Sequence, residues 1–170
     1  INRLSKNGQR YLFYTVSEAL KRDLPVELSL IPFIESQFDP YAQSSTGASG
    51  IWQFIPSTAI ENGLKKNWWY DARRDIVAST EAAYNFLIKL HQEHDDWLIA
   101  IAAYNAGPSR VRKEIRKNKA KGLPTDFWSL NLPKETKAYV PKILALSEVI
   151  RNPKLSNIEL PYLALSLIHI

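Results

Sequence analysis

At 170 residues the chain suits one domain with a real core, and 45% hydrophobic against 23% charged residues excludes disorder. No apolar run approaches the roughly 20 residues needed to span a bilayer, and the lack of cysteine excludes disulfides and thiolate metal sites. The net charge of +5 is concentrated, because Arg110, Arg112, Lys113, Arg116, Lys117, Lys119 and Lys121 lie close together. A chain that opens on Ile1 and holds no methionine reads as a piece of a longer protein, with any leader, anchor or companion domain outside it.

Strand signals are nearly absent and helical periodicity recurs throughout, which predicts an all-α domain of about seven or eight helices. A leading helix is expected over 11–22. Leu24–Pro25 starts the next, with Pro25 at the first helical position, where its missing N–H costs little. Pro32 should then bend that helix just before Glu35. The loop 39–50, rich in Ser, Gly and Ala, has the composition of a functional loop. A short helix over 57–63 ends on glycine. Ala83, Phe86, Leu87 and Leu90 mark a long amphipathic helix over about 77–91. Asp96 caps a buried helix over 97–105, which Gly107–Pro108 stops. The stretch 119–133 lacks helical pattern. Tyr139, Ile143, Leu146 and Ile150 form one stripe of a last long helix ended by Pro153. The apolar stretch 163–170 is either a packed tail or an appended end.

The chemistry centres on Glu35. Leu24, Leu28, Ile31 and Glu35 fall on one helical stripe, so an apolar face ends in a carboxyl group. Desolvation there favours the protonated acid, as a general acid near neutral pH requires. A glutamate at a helix end that simply reaches solvent is the plainer alternative. Gly47 and Gly50 permit a backbone that another chain, such as a sugar polymer, approaches closely. Gln53 both donates and accepts hydrogen bonds, which suits sugar amides and hydroxyls. Tyr104 and Asn105 end the buried helix, where Asn105 as a cap and Tyr104 as core filling are the ordinary reading.

Ordinary glycosidases use two carboxyl groups. Asp39, followed by Pro40, reads as a turn, and Asp71 and Asp75 as ion-pair partners of Arg73 and Arg74. That leaves no evident second carboxylate for the chemistry. His91 and His94 belong to a solvated helix end, and no ligand spacing supports a metal. The basic run reads as a solvated face without interleaved aromatics, hence no nucleic-acid site; as a rim it would attract carboxylates. Trp52, Trp68, Trp69 and Trp128 can stack on sugars, with core packing expected for most of them.

Four blocks in order, Glu35-Ser36, Gly47-Ala-Ser-Gly-Ile-Trp-Gln53, Ala103-Tyr-Asn105 and Glu135-Thr-Lys-Ala-Tyr-Val-Pro141, resemble the soluble-lytic-transglycosylase, goose-lysozyme-like catalytic domain. The resemblance runs over about 24–153 within a single domain spanning 1–170. It implies a lysozyme-like fold around a glycan cleft. It also implies non-hydrolytic cleavage of the MurNAc–GlcNAc β-1,4 bond of peptidoglycan, forming 1,6-anhydromuramic ends. Glu35 matches the acid that then turns base. Ser36 and Tyr139 match supporting residues, the tyrosine bonding the catalytic carboxyl. Ser44, Gln53, Tyr104 and Asn105 match substrate-binding residues. No metal or cofactor is implied. A monomer in the periplasm, associated with the outer membrane through a segment outside this chain, completes the expectation. A muramidase-like hydrolase and a non-catalytic peptidoglycan-binding module are the rivals.

Overall fold

The computed structural model describes residues 8–152; Pro153 and the stretch 163–170 lie outside them. The described residues divide into two compact units, one of residues 8–84 with 145–152 and one of residues 85–144. Among the described residues the regular structure is helical, broken only by isolated bridges such as Gln43 with Ser49 and Ser49 with Phe54. The all-α expectation is met by seven α-helices among those residues.

The first unit opens with α1 (Gln9–Leu20). The segment expected as one helix from Pro25 is instead two. A 3-10 helix spans Val26–Leu30, and α2 spans Ile31–Ser36. Pro25 precedes the first with ψ 125°, so it sits outside the helix rather than at its first position. Pro32 does not kink a continuous helix either. It lies in the first turn of α2, where its missing N–H has no intrahelical acceptor. Tightening to 3-10 geometry just before it brings Leu28, Leu30 and Ile31 into the core together.

Helix α3 (Pro56–Glu61) and the start of α4 (Ile76–His94) complete this unit with the end of α7 (Lys134–Arg151). The core is built on Trp52, whose ring meets Tyr84 edge-on at 5.2 Å. The Trp52 Nε1–H donates to Thr80 Oγ1 at 3.0 Å, and the Tyr84 hydroxyl donates to the Thr15 carbonyl at 2.7 Å. Each buried polar handle therefore finds a partner, which removes the desolvation penalty of an orphaned donor. Burial pushes the Tyr84 phenol pKa well up. Glu27 receives Arg151 Nη2 at 2.8 Å and fixes the last turn of α7.

In the second unit, the Asp96 carboxylate accepts from the Leu98 and Ile99 N–H groups and caps α5 (Trp97–Ala106), as the sequence predicts. Ile99 through Ala103 are all buried, and Gly107, at φ 87°, ends the helix. Pro108 does more than stop α5, since it opens α6 (Pro108–Ala120). Val111, Glu114 and Asn118 face inward, and the basic run is exposed on the opposite side. Asn118 Nδ2 donates to the Pro124 and Ser129 carbonyls and gathers the loop containing the 3-10 turn Phe127–Ser129.

Helix α4 runs one turn beyond its expected end, and this corrects the placement of both histidines. His91 stacks on Trp97 with ring centroids 4.0 Å apart, and the His94 side chain is buried.

Candidate active site

In the first unit, Glu35 is half-buried on the last turn of α2. The helix ends abruptly because Gln37 and Phe38 take left-handed φ values of 54° and 60°. The Phe38 ring is fully buried, and that packing offsets the strain of a bulky residue in this conformation. Ser36 shares its hydroxyl proton between the Pro32 carbonyl at 3.1 Å and the Ile51 carbonyl at 3.0 Å. The second bond ties the acid-bearing turn to the loop that carries Gly50 and Gln53.

That loop is a knot of short-range backbone bonds held by one buried arginine. Ser44 N–H donates to the Ala48 carbonyl and Ala48 N–H to Ser44 Oγ, both at 3.0 Å. Gln53, at φ 51°, donates both protons of Nε2, to the Gly50 carbonyl at 2.8 Å and the Ala42 carbonyl at 3.2 Å. Two carbonyl partners fix which end of the amide is nitrogen. Arg73, 4% exposed, donates from Nη1 to the Gly47 carbonyl at 2.7 Å and the Phe54 carbonyl at 3.1 Å. Its Nε and Nη2 clasp both carboxylate oxygens of Asp71 at 2.9 and 2.6 Å.

The Arg73 guanidinium holds the Asp71 carboxyl below the usual carboxylate range. Asp75 departs from the expected ion pair: it accepts from Ala78 N–H at 2.9 Å, capping α4, and from the Tyr70 hydroxyl at 3.0 Å. Asp39 accepts from Tyr41 N–H at 2.9 Å, the turn its sequence predicts.

Gly50 is needed for a reason the sequence does not carry. Its φ is 81°, and a Cβ there would lie 1.8 Å from the Arg73 carbonyl oxygen. The backbone that approaches Gly50 closely is the chain's own. At Gly47 the nearest atoms to such a Cβ, on Pro56, are 4.0 Å away.

In the second unit, Asn105 lies in the last turn of α5, and its side chain reaches the first turns of α7. Thr136 Oγ1 donates to Asn105 Oδ1 at 2.8 Å, and Asn105 Nδ2 donates to Glu135 Oε1 at 3.5 Å. Tyr104 is half-buried, its ring 5.8 Å from that of Phe86. Tyr139 is buried on α7, one turn beyond Thr136. Residues 103–105 and 135–139 are thus joined through a side-chain bond that no local pattern announces.

Core packing is not the role of most of the four tryptophans. Trp52 is fully buried, whereas Trp68, Trp69 and Trp128 are exposed. Among the described residues, no group of three or more His, Asp or Glu is placed to hold a metal ion.

The transglycosylase SLT domain family matches residues 15–126. The membrane-bound lytic murein transglycosylase D of Escherichia coli strain K12 is 52% identical over 155 residues, covering 91% of this chain and 34% of that protein. The solved lytic transglycosylase Slt of Pseudomonas aeruginosa, an inactive mutant, superposes with a TM-score of 0.61 at 30% identity. That match covers 85% of this chain and 24% of the other. The 70 kDa soluble lytic transglycosylase of Escherichia coli gives 0.63 at 25% identity, covering 84% and 24%. The chain spans about a third of the length of the transglycosylase D it matches. With two thirds of its length inside the family's span, and an all-α fold shared with two solved members, the chain belongs to the transglycosylase SLT domain family.

Proposed function

We propose that this domain cleaves the MurNAc–GlcNAc β-1,4 bond of peptidoglycan without water, and that Glu35 is its one catalytic carboxyl group. The observation that carries this reading is the attachment of Glu35's turn. A half-buried carboxyl on a short helix is pinned through Ser36 to the Ile51 carbonyl, inside the loop that presents Gln53. A general acid works through fixed geometry, and this attachment supplies it.

The engagement of the other candidate carboxylates supports a single-acid route. Asp71 is clasped by Arg73, Asp75 caps α4, and Asp39 holds its own turn. In the proposed reaction, Glu35 gives its proton to the glycosidic oxygen as the bond from muramic C1 breaks. The 2-acetamido carbonyl oxygen stabilises the positive charge at C1. The Glu35 carboxylate then takes the proton from the muramic 6-hydroxyl as that oxygen bonds to C1. The products are a 1,6-anhydromuramic end and a free 4-hydroxyl on N-acetylglucosamine. Ser44, Gln53, Tyr104 and Asn105 bind the sugars in this scheme, and Tyr139 orients the acid. In this reading the domain works in the periplasm, where its substrate lies, in association with the outer membrane. Similarity to enzymes named lytic murein transglycosylases supports the reaction class.

Digestion of purified peptidoglycan with the native chain and with Glu35→Gln, read by mass spectrometry of the released muropeptides, tests it. Native protein should release products one water lighter than hydrolytic ones. Glu35→Gln should be slower by about a hundredfold or more. Reducing ends from the native chain would make it a hydrolase, and full activity of Glu35→Gln would remove Glu35 from the chemistry.

A further inference from the structure

The loop between α3 and α4 ends in an aromatic tip. Residues 67–70 form a tight turn in which Asn67 N–H donates to the Tyr70 carbonyl at 2.8 Å. Asn67 Oδ1 accepts from the N–H groups of Trp69 and Tyr70, both at 2.8 Å. Ala72 N–H closes the neck on the Lys65 carbonyl at 2.9 Å, and the Tyr70 hydroxyl braces one side on Asp75. On this fixed backbone Trp68 and Trp69 are 89% and 90% exposed. Tryptophan is highly buried on average, so two adjacent rings held out in water call for a partner.

The exposure values decide which partner. A sugar-stacking platform needs its ring held by neighbours, since immobilising a loose side chain opposes binding. Rings with nine-tenths of their surface in water are not so held. The headgroup region of a bilayer requires no fixed ring orientation and favours an indole, apolar in body and polar at its N–H. The charges agree. Asp71 and Asp75, at the base of the loop, are engaged by Arg73 and by the α4 N-terminus. Lys65 and Lys66 are exposed, and Lys66 remains 62% exposed although 4.0 Å from Asp71. The outward charge of the loop is therefore positive.

We propose that the 65–71 loop is a membrane-interface anchor, in which Trp68 and Trp69 enter the headgroup region and Lys65 and Lys66 contact anionic lipid phosphates. This is a surface contact that involves no spanning helix, and it stands apart from the role of Glu35.

The test is co-sedimentation of the purified chain with vesicles of phosphatidylethanolamine and phosphatidylglycerol, and with phosphatidylcholine alone, while indole emission is followed. The native chain should bind the anionic vesicles with a blue shift and release them as salt rises. Trp68→Ala with Trp69→Ala should lower the partition coefficient by about tenfold per ring. Lys65→Glu with Lys66→Glu should lower it by about fivefold per lysine removed, on anionic vesicles only. Both pairs lie on the surface, and circular dichroism checks that each variant folds. The proposal is overturned if the native chain ignores anionic vesicles, or if the tryptophan pair can be removed without loss of binding. A tryptophan variant that keeps vesicle binding but pellets less with purified peptidoglycan would assign the tip to glycan instead.

Discussion

Gly50→Ala would force a methyl group into a close backbone approach in the candidate site, and the size of the damage follows from two separate costs. The first is conformational: a non-glycine residue at φ 81° costs roughly 1–2 kcal/mol. The second is steric, because the new Cβ would sit 1.8 Å from the Arg73 carbonyl oxygen. That carbonyl has little room to retreat. Its own side chain is fixed to Gly47, Phe54 and Asp71. Overpacking of this kind typically adds about 1–3 kcal/mol. The sum, roughly 2–5 kcal/mol, is a large part of a domain's usual stability of about 5–15 kcal/mol.

Gly63→Ala isolates the first cost, since its φ is 78° and no atom lies within 4 Å of the added Cβ. Both substitutions stiffen the unfolded chain alike, so that effect cancels in the comparison. Urea unfolding, followed by circular dichroism and by emission from the buried Trp52, measures both. Gly50→Ala should lose about 1–3 kcal/mol more than Gly63→Ala. Equal midpoints with unchanged slopes would refute the steric argument and show that the Arg73 segment yields.

Two further predictions concern the same knot. Because Arg73 holds the Asp71 pKa below its ordinary value, the pair stabilises the fold fully above the usual carboxylate range and fades as pH falls through the lowered value. Asp71→Asn should cost roughly 1.5–3 kcal/mol at neutral pH, and its gap to the native chain, measured by urea unfolding, should narrow as pH falls below the usual carboxylate range. Gln53→Glu sets an ionised acceptor against the Gly50 and Ala42 carbonyls and should cost about 2–3 kcal/mol at neutral pH. Acid should restore part of that loss by returning one donor, which melting temperatures at pH 7 and pH 4.5, about the ordinary range for Glu, would register.

Where a feature depends on residues within a turn or two of each other, the sequence showed it. Asp96 caps α5, Gly107 ends it, and the stripe through Tyr139 and Ile143 is the buried face of α7. The division at Pro32 was not legible, because both a kinked helix and a helix beginning one residue earlier suit the same proline. Distance in the chain hid the rest. Arg73 lies 26 residues from the Gly47 carbonyl it holds, and Asn105 is 31 from Thr136. Neither pairing leaves a periodic trace. The exposed tryptophans went against expectation for a related reason. Composition favours burial of the residue type, while the turn closed by Asn67 decides where these particular rings point.

The hydrogen bonds of the candidate residues narrow what each can offer a ligand. Ser36 directs its only hydroxyl proton into the fold, and both Nε2 protons of Gln53 are engaged by backbone carbonyls. Among the described residues the Gln53 Oε1 accepts no hydrogen bond, so in its proposed role Gln53 would meet a sugar as an acceptor rather than as a donor. It is therefore matched to a hydroxyl or to an acetamido N–H, and mismatched to a carbonyl or carboxylate. The same bonds that orient this oxygen also close the loop on Ala42 and Gly50, so its position does not have to be fixed again when substrate arrives. A residue that first appears to be chosen for contact with the glycan is held by the loop before any glycan is present, and the loop in turn depends on Arg73 and on the missing side chain of Gly50.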